Sequence, residues 1–147
     1  MKRQVIIEVI IFLFVILFAY TSTSKFLDFK LFVFQMRLAP LPLMISIAPI
    51  LGWLIPIIEA LLAVSLLTRQ YRYPALFGSV TLMVLFELYI ISMLLSGQHL
   101  PCTCGGIIAK MSWKAHLCFN AAFIFLGIFG LRQIKNIQQI QLADSNG

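Results

Sequence analysis

Four long apolar runs alternate with short polar breaks along this chain, and each run predicts a helix. The first, Val5 to Tyr20, is preceded by Lys2 and Arg3 and closed by Ser22, Thr23 and Ser24. Its length suits either a helix or a signal-peptide core, but no Ala-x-Ala pattern follows it and Glu8 is unusual in a signal core, so a retained helix is expected. The second, about Met44 to Leu67, contains Pro49 and Pro56, which a membrane helix tolerates when neighbouring helices satisfy the backbone groups that proline frees. The third covers about Ala75 to Leu95 and ends before Gly97 and Pro101. The fourth begins near Trp113, with Ser112 as N-cap, and reaches Leu131, where Arg132 and Lys135 open a polar tail.

The breaks are informative as well. Lys25 to Pro42 carries Lys25, Asp28, Lys30, Arg37 and two prolines, and charges at several kcal/mol each are too many for a span. This segment is expected at the membrane interface. Its charges do not gather on one helical face, so an amphipathic helix and a folded-back loop both stay open. Thr68 to Pro74 reads as a short basic loop, with Tyr71 and Tyr73 as an aromatic belt. The predicted fold is an all-α membrane protein, a bundle of four transmembrane helices in a single domain over 1–147. The spans are about 5–22, 44–67, 75–95 and 113–131, with the interfacial segment between the first two and a polar cytoplasmic tail at 132–147.

Composition supports this and excludes the alternatives. Of 147 residues, 61% are hydrophobic and 11% charged, against roughly 25% charged in soluble domains. The net charge of +6 would suggest nucleic acid in a soluble protein, but the basic residues stand singly between apolar runs and form no binding cluster. They set orientation instead. Lys2, Arg3, Arg69, Arg72 and Arg132 hug helix ends, which puts both termini in the cytoplasm and makes this a multi-pass protein of the cytoplasmic membrane. Lys25, Lys30, Arg37, Lys110 and Lys114 then lie outside, together with the loop before the fourth span, where disulfides persist.

That loop carries Cys102-Thr103-Cys104-Gly105-Gly106. Two residues of extended chain cover roughly 7 Å, at or beyond the largest Cα separation a disulfide accepts, so a bridge needs a turned backbone. Pro101 and the two glycines permit one. As a staple such a bridge is poor: closing a three-residue ring yields about 1.6 kcal/mol, against about 3 for a fifteen-residue loop. Strained, exposed bridges are the labile ones, which points to exchange through a mixed disulfide. Cys104 is favoured as the nucleophile if the glycines and the coming helix present backbone N–H groups to a thiolate. A metal site would need more ligands. His99 and His116 are at hand, but the spacing matches no zinc pattern, so none is expected.

Four further residues are candidates for support. Cys118 is either a small packing residue or a resolving thiol under the loop. His116 is either a base or cation that promotes thiolate formation, or an interfacial polar residue. Glu59 and Glu87 sit in spans, at about 12 Å and about 18 Å from the cytoplasmic ends by helical rise, near enough to share one cavity. They handle protons, or they are neutral carboxyls hydrogen-bonded between helices. Asn120 belongs to the same polar interior.

These features together resemble the MauE-like and DoxX-like redox-associated membrane proteins. The resemblance rests on Lys25-Phe-Leu-Asp28 after the first helix, Leu54-Ile-Pro56 followed by Glu59 in the second, and the Cys-x-Cys-Gly element before Ser112-Trp113. Typical MauE sequences read Cys-Gly-Cys-Phe-Gly, where this chain has Thr103 and Gly105. The resemblance implies a four-helix bundle that supports disulfide formation or thiol transfer outside the cytoplasm with a thioredoxin-like or secreted partner. Analogy with DsbB and vitamin K epoxide reductase adds a membrane quinone as electron acceptor. The expected function is therefore a component of extracytoplasmic thiol–disulfide exchange using Cys102 and Cys104. The alternative is a non-enzymatic subunit or scaffold in a larger complex, with Gly127 and Gly130 packing on a partner's helix.

Overall fold

The computed structural model describes residues 2–38, 42–95 and 113–145, and these residues contain helices and no strand. In order they form α1 (Lys2–Leu27), α2 (Phe29–Arg37), α3 (Pro42–Leu67), a 3₁₀ turn (Arg69–Tyr71), α4 (Arg72–Leu95) and α5 (Trp113–Ser145). Four of the helices are long and apolar enough to cross a membrane. At 26 residues, α1 and α3 each extend about 39 Å, more than the roughly 30 Å of hydrocarbon.

The helices are apolar nearly all round, as a membrane helix should be, yet each has one face turned inward. Along α1 the buried stripe is Ile7, Ile11, Phe14, Phe18, Ser22 and Lys25, while Val5, Val9, Phe12 and Ile16 form the exposed face on the far side. In α3 the stripe is Ala48, Gly52, Pro56, Glu59, Ala63 and Leu66. Both follow helical spacing of three and four residues. Phe14, fully buried, sits at the centre and meets the edge of the Phe123 ring at 5.5 Å.

Because lipid is as apolar as the side chains, close packing has to supply the helix–helix attraction, and small residues permit it. A Cβ on Gly127 would come within 2.4 Å of Val80 and 2.9 Å of Phe14, so α5 approaches α1 and α4 at van der Waals contact there. Gly130 does the same against Leu76 and Ile10. The two glycines expected to serve a partner's helix are thus consumed inside the bundle, because their face of α5 is the inward one.

Several hydroxyls and charged groups on the spans bond locally or across helices. Ser79, Thr81 and Thr23 donate to the carbonyls four residues earlier, at 2.8, 2.9 and 2.8 Å. Ser22 donates to the Pro56 carbonyl at 2.8 Å and ties α1 to α3 beside the proline. At the end that carries the termini, Arg72 holds both carboxylate oxygens of Glu8, at 2.6 and 3.0 Å, and joins α1 to α4 in a fork geometry.

The segment after the first span, left open between helix and loop, is helical. The chain turns at Asp28, where the backbone bonds Asp28 N to Ser24 O and Phe32 N to Asp28 O are kept. The following α2 buries Phe32, Val33, Gln35 and Met36 and exposes Lys30, Leu31, Phe34 and Arg37. Its buried side rests on α3 at Gly52, where a Cβ would meet Val33 at 2.5 Å, and Phe29 packs on Trp53 with ring centroids 4.8 Å apart. The fourth helix also runs on past Arg132, so that residues 132–145 are helical.

Gly127→Val tests the packing. Overfilling a tight contact costs about 1–3 kcal/mol, while replacing a helical glycine returns less than about 1 kcal/mol. The variant should therefore lose stability, read as a lower thermal midpoint by circular dichroism in detergent; an unchanged midpoint would contradict the contact.

Candidate functional site

Lys25 stands in the last turn of α1 and continues the buried stripe that begins at Ile7. Its ammonium donates to Glu59 Oε1 at 2.5 Å, and the two residues are 3% and 2% exposed. The rings of Phe32 and Phe86 flank the ammonium at 5.6 and 5.0 Å from their centroids. Neither charge would be tolerable alone: an ionised side chain in a span costs roughly 2.5–3.5 kcal/mol on insertion scales. Paired, they neutralise each other, and the aromatic faces add cation–π attraction.

Around this pair the four long helices close a small chamber of about 40 Å³. Thr21 of α1, Met83 and Phe86 of α4, and His116 and Asn120 of α5 line it with Lys25 and Glu59. The space is large enough to admit a water, and Glu59 Oε2 has no hydrogen-bond partner among the described residues. The Thr21 hydroxyl stands beside the same carboxyl and donates back to the Phe18 carbonyl at 3.3 Å.

Glu87 does not line the chamber. It is half-buried on α4, with the side chain of Asn120, which does line it, as its polar neighbour. Asn120 thus stands between the chamber that Glu59 lines and the carboxyl of Glu87. His116, in the first turn of α5, is buried in the chamber wall. Cys118, two residues on, faces outward and is exposed, since two residues turn a helix by about 200°. His116 and Cys118 thus sit on different faces. Cys102 and Cys104 lie outside the described residues. Among the described residues no cluster of three or more histidine, cysteine or acidic side chains is placed to hold a metal ion.

The chamber occupies the half of the bundle towards the connection between α4 and α5. Lys25 ends α1 and His116 opens α5, and residues 96–112 join Leu95 of α4 to that same α5. Sequence reasoning singled out Glu59, Glu87, His116 and Asn120 but missed Lys25, which it assigned to the interface because of its charge. A signal existed: Lys25 lies three residues after Ser22 and seven after Phe18, in register with the apolar stripe.

A second cavity, of about 360 Å³, adjoins the pair from the other side, between α2, α3 and α4. Its lining is mainly apolar and includes Lys25.

The fold and this centre define a class: a small four-span α-helical membrane protein built around a buried lysine–glutamate pair. The profile of the family described as methylamine utilisation protein MauE matches residues 3–133, and the chain belongs to that family. No curated protein and no solved structure matches it.

Removing one member of the pair should be far worse than removing both. Lys25→Met alone strands a buried carboxylate and should cost about 3–5 kcal/mol, whereas Lys25→Met with Glu59→Met should return to within about 1 kcal/mol of the parent or exceed it. Unfolding in mixed detergent micelles reads both values, and equal losses in the single and double variants would refute the pairing.

Proposed function

We propose that this MauE-family protein is the membrane component of an extracytoplasmic thiol–disulfide exchange system in which Cys102 and Cys104 are the redox pair. The observation that carries the reading is the Cys-Thr-Cys-Gly-Gly element in the connection between α4 and α5, within the matched residues. The buried polar chamber supports it, because it lies in the half of the bundle nearer that connection. With both termini in the cytoplasm, as the basic flanks favour, the connection faces outward, where a thioredoxin-like or secreted partner is met.

In the proposed cycle a thiolate of the partner attacks the Cys102–Cys104 bond and forms a mixed disulfide, releasing one cysteine of the pair as a thiol. The partner's second thiol resolves that bond. The partner leaves oxidised and Cys102 and Cys104 are left reduced. Restoring their disulfide removes two electrons and two protons, for which a membrane quinone is the acceptor of matching chemistry. His116, Glu59 and Glu87 are described groups in that half of the bundle able to hold or pass a proton, and Cys118 is a further thiol on α5.

Cys104→Ser should abolish oxidation of the partner, and a variant retaining only one cysteine of the pair should trap it as a mixed disulfide that reductant releases. Mass-tagged thiol alkylation follows the pair in the intact protein. Partner oxidation unaffected by Cys104→Ser would defeat the proposal. A pair that never changes redox state while complex assembly survives Cys102→Ser would favour a scaffold instead.

A further inference from the structure

The 360 Å³ cavity has a shape and chemistry that the exchange of thiols leaves unused. It falls within the range of roughly 300–1,000 Å³ typical of small-ligand pockets. It is lined by α2 through Phe32 and Met36, by α4 through Leu85, Phe86 and Tyr89, and by α3 through Leu51, Leu54 and Ile55. Leu54 and Leu85, at its edges, are 44% and 59% exposed on the outside of the bundle, so a ligand would enter sideways from hydrocarbon. Met44 in the first turn of α3 and Met36 in the last turn of α2 place the cavity in the same half of the bundle as the polar chamber.

Lys25, the one charged residue among the described residues of the lining, decides what class of molecule fits. Lys25 has three N–H donors, of which one is bonded to Glu59 Oε1. The ammonium can thus donate into the cavity. Its charge is already balanced by Glu59, so an added carboxylate or phosphate would bring an uncompensated negative charge into a low-dielectric space. A neutral carbonyl oxygen brings none. Phe32 and Phe86, both near the ammonium, line the cavity with Tyr89 and supply aromatic side chains beside which a flat ring can pack. A plain acyl chain would fill the apolar walls but make no use of the donor.

We propose that this cavity is the binding site for the head ring of an isoprenoid quinone, with one ring carbonyl accepting a hydrogen bond from Lys25 and the tail leaving between Leu54 and Leu85 into the lipid. The site deepens the thiol-exchange reading, since a quinone held there is a two-electron, two-proton acceptor; its occupancy, however, requires no cysteine.

The test uses a short-tail azidobenzoquinone as photolabel on the full-length protein and on a Cys102→Ser, Cys104→Ser variant, which cannot exchange thiols. Labelled peptides are mapped by mass spectrometry. Label is expected in both proteins on the α3 and α4 segments around Leu54 and Leu85, displaced by excess unlabelled quinone and not by oleate. Leu85→Trp, which narrows the mouth from an exposed position, should weaken labelling at least tenfold while circular dichroism stays unchanged. The Lys25→Met, Glu59→Met variant should weaken it similarly by removing the donor. Label that maps elsewhere, that Leu85→Trp leaves intact, or that oleate displaces equally well would overturn the site. If labelling behaves as expected but Cys104→Ser leaves partner oxidation untouched, the quinone site stands and the exchange reading falls.

Discussion

A lysine and a glutamate cannot both be ionised inside hydrocarbon unless they touch, and the contact between Lys25 and Glu59 constrains the outer shape of everything near it. It holds the last turn of α1 against the middle of α3. It also draws the Lys25 side chain inward, which leaves the ammonium between the rings of Phe32 and Phe86 and so links α1 to both α2 and α4. A buried pair of this kind adds little net stability compared with well-packed apolar residues, because desolvation offsets most of the attraction. What it enforces is register: α1 cannot slide along α3 without stranding a charge.

The rest of the bundle is organised in relation to that contact. Towards the termini, tight apolar packing takes over, with Gly127 and Gly130 admitting Phe14, Val80, Leu76 and Ile10, and the Glu8–Arg72 fork closes that end. In the other half the interior carries the buried polar side chains Lys25, Glu59, His116 and Asn120. The Lys25–Glu59 pair separates two spaces of opposite character, a chamber of about 40 Å³ with His116 and Asn120 in its wall and an apolar cavity of about 360 Å³ under α2. One ammonium therefore borders both a space suited to water and protons and a space suited to a lipid-soluble molecule. That juxtaposition is the observation on which the proposed quinone site rests.

Much of this was legible from residue order. Runs of about 20 apolar residues have only one stable backbone arrangement in lipid, so the four helices follow directly. Glu59 and Glu87 were recognisable as interior groups because a carboxyl facing acyl chains is too costly, and Asn120 joined them on the same ground. Lys25 was misplaced for an instructive reason. Its cost in a span was weighed as a single charge, whereas its partner is 34 residues away and cancels that cost only once α1 and α3 are packed. The segment holding α2 was ambiguous for a related reason: its charges scatter around the wheel, and the apolar face that matters, Phe32, Val33 and Met36, is defined by where α3 lies.

From the sequence alone came the all-helical membrane class, the number of spans, the acids that must face inward and the cysteine element that suggests exchange chemistry, since each depends on local composition and on the price of polarity in hydrocarbon. Only the tertiary structure decided which partner neutralises Glu59, which face of α5 is inward, and that His116 lines the chamber while Cys118 does not. It also revealed the apolar cavity, whose walls come from α2, α3 and α4. Cavities and ion pairs between distant segments are properties of packed surfaces, and a linear pattern specifies which side of a helix is buried without specifying what it is buried against.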